Sequence, residues 1–357
     1  MKMMLLFASI ITFKSISGED PLGEATDCPR IRRPWHELTQ SERDLYINGL
    51  MAVRAKSSGD QDIDEFIAIA SVHEDEFAPV THKASNYLYW HGYLTWELEN
   101  RIRALGGEYS CFGMPYWDFT IEAGREQTPS IFSTGLGGNG DADNYYTVNE
   151  YSWPYTTEEF WVPFNCFAQN DNYPVCSLKR ALRDNFDMPT AQEIGRGIIN
   201  NPDFTQFAKW YATGYNPVHL FTNVDFLQSP NPVTTSYDPI WYLFHSMVQY
   251  HQAIWTDCYD YDEIDPADLD NHPSAYKPYC VHGSCIHPSK FPTEWMGMGL
   301  DDVMHFGGTL QDKEWSYIHD NPLTVRELYH LPRWGIVYDL GKEQGFYQKS
   351  GLKDFCD

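Results

Sequence analysis

Residues 82–91, HKASNYLYWH, continue as GYLTWELENRIR over 92–103 and close on MPYWDF at 114–119, and the fold turns on how this run is read. His82 and His91 stand nine residues apart, so they cannot share a helical face: nine steps of about 100° carry the second ring to the opposite side. One of them therefore falls off the helix. Leu88, Leu94, Leu98 and Ile102 recur at helical spacing, and Glu97, Glu99, Arg101 and Arg103 fill the other faces. An amphipathic helix is predicted over 84–105, with His91 on it and His82 just before it. Upstream, Ile63, Phe66, Ile67 and the run Ile69 to Val72 repeat at the same period and end at His73, predicting a helix over 63–77. Three imidazoles from two helices and one loop can converge on a metal ion. A lone histidine is more commonly a hydrogen-bonded structural group, so the company these three keep carries the argument.

The rest of the chain bounds the class. MKMMLLFASIITF has a basic start and an apolar run of about ten residues, followed by small residues at Ser15, Ser17 and Gly18, which reads as a secretory signal over 1–18, too short to span a bilayer. No later stretch is long and apolar enough for a membrane span. Residues 19–357 then read as one elaborated domain. The candidate break, GLGGNGDADN at 135–144, is flanked by aromatic and proline-rich sequence, as a surface excursion is. Eight cysteines suit an oxidising compartment and up to four disulfides. Cys166 with Cys176, and Cys280 with Cys285, would each close a short loop, leaving Cys28, Cys111, Cys258 and Cys356 to tie the chain ends to the body. Without a CxxC pair, thiolate zinc is a poor fit. A formal charge of −25 repels nucleic-acid phosphates and argues against that partner.

Further helices are predicted from Thr39 or Ser41 through Val53, from Thr190 to Ile199, from Pro202 to Thr213, and over TSYDPIWYLFHSMVQYHQAIW, Thr235 to Trp255. In the last, Asp238 and Pro239 look like an N-cap and first-turn proline. Residues 106–187 read as loops and short strands, Leu323 to Tyr329 as a short helix, and Trp334 to Leu340 as extended. The expected architecture is mainly α: a four-helix bundle core bearing a metal centre, wrapped by long loops and short strands and stapled by disulfides.

These residues resemble the type 3 copper proteins, the tyrosinases, catechol oxidases and haemocyanins, over most of the chain. In that family the first copper half has a histidine, a variable gap, then H-x8-H with an aromatic and Trp before the last His, an amphipathic helix and a PYWD closure. His73, His82, Tyr89 to His91 and Pro115 to Asp118 match it. The second half reads H-N-x-x-H and then D-P-x-x-x-L-H-H, with the final His as ligand. YNPVH at 215–219 and DPIWYLFH at 238–245 correspond. His219 and His245 match ligand positions and Asn216 matches the Asn beside the first ligand. Asp238 heads the second motif, and Phe244 replaces the non-ligating first member of the His pair. Tyr215 stands where the first ligand is a histidine. The family's water-orienting Glu falls in register with Gln206, and Val80 occupies the place of the Cys that forms a thioether in some members. The phrase GEYSCFGMPYWD fits members with a disulfide at Cys111.

The resemblance implies six ligand positions for two copper ions, with small phenols or catechols and O2 as reactants. Neutral imidazoles hold copper through its redox cycle without adding charge. Tyr215 has three readings: a phenolate ligand, since a metal can lower a phenol's pKa; a bystander at a weak two-histidine copper site; or the mark of a lost second site. A secreted protein that keeps the fold without catalysis is the competing expectation. His251, about 240° round the helix from His245, is a poor substitute ligand and reads as structural or surface.

Overall fold

In the computed structural model of the chain, Thr39 is the N-cap of helix α1, Gln40–Arg54. Its hydroxyl accepts from the Glu42 N–H at 3.3 Å while the Glu42 carboxylate accepts from the Thr39 N–H at 2.7 Å, a reciprocal capping box. Both groups are exposed, so only the cap is at stake. Thr39→Ala is expected to lower stability by about 1 kcal/mol in chemical denaturation, with spectra of the folded protein unchanged.

The structure describes residues 10–11, 28–55, 65–74, 87–125, 131–132, 136–144, 147–148, 178, 180, 187–211, 218, 236–259, 279–281, 284–286, 307–310, 313–316, 324, 326–327, 335–342 and 345–356. His82, Tyr215, Asn216 and His219 lie outside them, as do Cys166 and Cys176. After α1 come α2, Glu65–Glu74, α3, Tyr87–Arg103, and α4, Ala191–Asn200, capped by Thr190 and Glu193 as α1 is by its own pair. A helical stretch over 204–211 follows, then α5, Ile240–Cys258, and two short C-terminal helices, α6, Phe346–Ser350, and α7, Lys353–Cys356. The mainly helical expectation holds.

Helices α2, α3, α5 and the 204–211 stretch form the bundle, and polar ties set their relative heights. Tyr87 Oη donates to the Ala208 carbonyl at 2.8 Å, Ser236 Oγ to the Ala70 carbonyl at 2.8 Å, and Tyr46 Oη of α1 to the Pro239 carbonyl at 2.8 Å. Each hydroxyl satisfies a carbonyl that burial would otherwise leave costly. Between these ties the core is aromatic: Trp90, Trp96, Trp117, Trp255, Tyr87 and Tyr89 are among its largest fully buried side chains.

Helix α3 departs from its expected amphipathic character. Glu97, Glu99 and Arg103 are all buried, with Glu99 at 0% exposure. The reason is tertiary. Strand β2, Arg30–Arg32, crosses the helix and brings its own cations: Arg32 Nη2 lies 2.7 Å from Glu99 Oε2 and Arg30 Nη1 lies 3.5 Å from it. The Met114 N–H donates to Glu99 Oε1 at 2.8 Å. Arg103 donates to the carbonyls of Phe112, at 2.8 Å, and Cys28, at 2.9 Å. The Cys28–Cys111 disulfide clamps this crossing in place. A charge paired and hydrogen-bonded in this way can be buried, so the charged positions mark a second packed face.

Strand β2 pairs in parallel with Ile336–Asp339, which Ile10–Ile11 flanks antiparallel on the other side. The predicted extended stretch Trp334 to Leu340 is thus a strand in its central part. Short hairpins join Gly140–Asp141 to Thr147–Val148, Tyr279–Val281 to Ser284–Ile286, and Gly307–Leu310 to Lys313–Ser316. The second places Cys280 opposite Cys285 in register, as a local pair requires.

The second long-range disulfide, Cys258–Cys356, joins the end of α5 to α7. It holds α6 against α4 and α5, where Phe346 packs 4.2 Å, ring to ring, from His251. Gly195 permits the approach: a Cβ there would lie 2.6 Å from the Ser350 carbonyl oxygen, which is backbone and cannot swing away. Gly195→Ala is therefore expected to destabilise the fold by about 1–3 kcal/mol, although alanine is the better helix former. Unchanged or raised thermal stability would contradict that close approach.

Candidate metal centre

Three of the predicted ligands are described, and each sits on a different helix. His73 is near the end of α2, His91 lies one turn into α3, and His245 lies in the second turn of α5. All three are 1% exposed. The His91 ring centroid is 5.2 Å from that of His73 and 4.7 Å from that of His245, so the bundle brings them into one buried cluster. Trp90 and Trp241 wall it, Trp90 lying 6.1 Å from His73 and 5.2 Å from His91.

The tautomer of His91 follows from its partner. Nδ1 lies 2.6 Å from the Tyr87 carbonyl, four residues back on the same helix. A carbonyl only accepts, so Nδ1 carries the proton and Nε2 keeps the lone pair. This is how a metal-ligating imidazole is normally oriented, with its remote nitrogen tied to a carbonyl or carboxylate. The donor set is chemically right for copper: buried, neutral nitrogen ligands on rigid elements. Among the described residues, no group of three or more His, Cys, Asp or Glu side chains is placed to hold one ion between them. In the family pattern, His73 and His91 belong to one metal and His245 to the other. Their expected companions, His82, His219 and Tyr215, lie outside the described residues.

The residues expected to support the ligands are distributed unevenly. Phe244 is buried, edge-on to His245 at 4.9 Å and packed on Phe119 at 5.6 Å and Trp117 at 6.4 Å. Trp117 also donates its backbone N–H to the Leu243 carbonyl at 2.9 Å, which ties the PYWD closure to α5. Asp238 faces Arg180. Its two oxygens take Arg180 Nη2 at 2.8 Å and Nε at 2.9 Å, and Oδ1 also accepts from the Ile240 N–H at 3.0 Å, although the N-cap itself is Pro239, one residue later than predicted. Arg180 donates to the Leu136 and Gly138 carbonyls as well, so the pair anchors the 136–140 excursion to the start of α5. Gln206 is exposed, its N–H bonded to Asp203 Oδ1 at 2.8 Å, and does not point into the cluster. The register that placed it opposite the metal is therefore not met.

One feature escaped sequence reasoning. Trp241 stands four residues before His245, hence on the same face of α5, a spacing that could have singled it out. Its ring centroid lies 4.0 Å from His245, 5.1 Å from His73 and 5.8 Å from His91. His251 is wholly buried, its Nδ1 2.6 Å from the Tyr211 hydroxyl, which settles the structural-or-surface choice as structural.

Below the cluster, two buried groups work against each other in acid. Burial lowers the His251 pKa to about 3, and burial raises the Asp118 carboxyl to about 6 against the opposing hydrogen bonds from Thr120. A depressed histidine makes stability fall as pH drops from about 6.5 towards 3, because the unfolded chain takes the proton first. A raised carboxyl has the reverse effect, favouring the fold as pH drops from about 6 towards 4. Between about pH 4 and 6 the two slopes oppose and largely cancel, and the larger histidine shift leaves a net fall in stability only on either side of that window. Asp118→Asn, which keeps an acceptor for Thr120, removes the compensation, so its stability should fall more steeply than the parent's in denaturant titrations from pH 6 to 4.

Imidazoles delivered by facing helices of a disulfide-stapled bundle, with a PYWD closure beneath, define the scaffold of a type 3 copper protein. The common central domain of tyrosinase matches residues 63–258, more than half of the chain, and the chain belongs to this family. It is 23% identical over 304 residues to the tyrosinase ustQ of Aspergillus flavus, covering 82% of this chain and 76% of that one. It is 26% identical over 282 residues to a G-type hemocyanin of Enteroctopus dofleini, covering 73% of this chain and 8% of that multi-unit polypeptide. In structure it resembles deoxygenated hemocyanin from Rapana thomasiana, with a TM-score of 0.53 at 16% identity, over 92% of this chain and 74% of that one. That likeness is one of fold.

Proposed function

We propose that the chain is a secreted copper oxidoreductase that oxidises small phenols or catechols with O2, its second copper position altered by Tyr215. The observation that carries this reading is the convergence of buried His73, His91 and His245 from three helices, with the His91 tautomer set by Tyr87. His73, His82 and His91 would hold the first ion, and His219 and His245, with Tyr215 at the third position, the second. Copper so bound supplies oxygen activation and takes up the electrons of the substrate. The chain's own contribution is positional: the Tyr87 carbonyl orients His91, Phe244 and Trp117 back His245, and the tryptophan walls exclude water. The disulfides Cys28–Cys111 and Cys258–Cys356 support an oxidising compartment, in line with the signal at 1–18.

Tyr215 favours a second reading, a secreted protein that keeps the fold for binding. Metal content per chain, with the optical spectrum taken under oxygen and after its removal, separates the two. Two coppers and an oxygen-dependent charge-transfer band support the oxidoreductase. One copper or none, without the band, removes the dinuclear reading.

A further inference from the structure

Trp241 is 2% exposed, and its indole N–H meets no acceptor among the described residues. A buried donor without a partner is costly, and native structures rarely leave one so unless a ligand or water completes it. The indole is in ring contact with all three histidines of the cluster, from 4.0 Å at His245 to 5.8 Å at His91. The other surroundings offer it little: Tyr242 is edge-on at 4.9 Å, and its hydroxyl also lacks a partner among the described residues. The ring that borders the histidine cluster thus carries a buried donor with no acceptor among the described residues.

We infer that Trp241 is a positioning residue that donates its indole N–H to a small anionic ligand held in the histidine cluster, and so selects hydrogen-bond acceptors over ligands of similar size that accept poorly. The inference rests on the copper reading of the same cluster. It differs from a packing role in one respect: a packing residue affects every ligand of that size, whereas a donor affects only acceptors.

The test uses full-length copper-loaded protein and Trp241→Phe, which keeps an aromatic ring and removes the N–H. Copper per chain is measured first. Azide, an anionic acceptor, is then titrated into the oxidised protein by its charge-transfer band, and carbon monoxide, a poor acceptor, into the reduced protein. Azide affinity is expected to fall about tenfold in Trp241→Phe, the worth of one hydrogen bond to a charged group, with carbon monoxide affinity unchanged. Equal azide affinity in the two proteins overturns the inference and leaves the copper reading standing, as does a parallel loss for both ligands, which assigns Trp241 to packing. If the parent protein takes up no copper, the metal reading fails and this inference falls with it. Should only Trp241→Phe lose copper, the azide and carbon monoxide comparison is made instead with Trp241→Met, which fills space without a hydrogen-bond donor: weakened azide binding with carbon monoxide unchanged supports the inference, and parental azide binding or a second loss of copper overturns it.

Discussion

Tyr215→His is expected to raise bound copper towards two ions per chain and catechol turnover by at least tenfold. The reasoning is chemical. A phenol with an ordinary pKa near 10 is protonated at neutral pH and a poor ligand unless a metal draws the proton off, whereas imidazole offers a lone pair without that cost. Removing even an outer partner of a metal ligand commonly costs about 10–100-fold in metal affinity or activity, so restoring a direct donor should gain at least as much. Residue 215 stands four before His219, the spacing at which two helical side chains share a face, so the new ring has the position the family motif gives its first ligand. Metal analysis and oxygen-uptake kinetics on the two proteins measure the outcome. A parent already carrying two coppers would rule out a lost second site and leave Tyr215 as a phenolate ligand or a bystander. A variant that gains neither copper nor turnover would count against a damaged oxidase and favour the non-catalytic reading.

Glu99→Ala should produce the largest loss of stability, about 3–5 kcal/mol, because it strands Arg32 inside the protein. Arg32 and Glu99 are both wholly buried. Burial alone would push the Glu99 carboxyl up, but Arg32 and Arg30 beside it, together with the Arg32 and Met114 hydrogen bonds, hold it below the ordinary carboxylate range. A depressed carboxyl gives stability that is present at neutral pH and lost as pH falls below the usual Glu range. Removing it should therefore also remove part of the acid sensitivity. Arg32 additionally donates to the Gln249 side chain and, at 3.2 Å, to the Tyr338 hydroxyl, so the network joins α3, α5 and the small sheet. Glu99→Gln keeps an acceptor for the Met114 N–H and should lose less than alanine. Urea unfolding with the disulfides intact measures both. A loss below 1 kcal/mol for Glu99→Ala would mean that water reaches Arg32 in the folded state.

Periodicity, caps and spacing decided a good deal. The helices at 40–54, 65–74, 87–103, 191–200 and 240–258 all lie where the apolar repeats put them, because a repeat near 3.6 residues has one way to bury its stripe. Thr39 and Thr190 announce their caps by a glutamate three residues on. His73, His91 and His245 were legible as candidate ligands for a related reason: metal chemistry restricts residue type, and helices restrict spacing. The long-range ties at Cys28–Cys111 and Cys258–Cys356 were legible only as four cysteines left over, since connectivity depends on where distant segments meet.

What only the tertiary structure decided concerns partners far apart in sequence. Glu99 of α3 looked solvated because its counter-charges, Arg30 and Arg32, lie about seventy residues upstream, beyond the reach of any helical pattern. Asp238 looked like the N-cap of α5 and does bond the Ile240 N–H, but the cap is Pro239, and the main partner of Asp238, Arg180, comes from a stretch without periodicity. Trp241 read as one more aromatic on a buried helix; its place against three histidines from three helices exists only once those helices pack. Local physics writes a pattern into consecutive residues, and that pattern determined the elements and the candidate ligand types. The pairing of buried charges and the walls of the histidine cluster follow from contacts between elements, which no single stretch of the chain encodes.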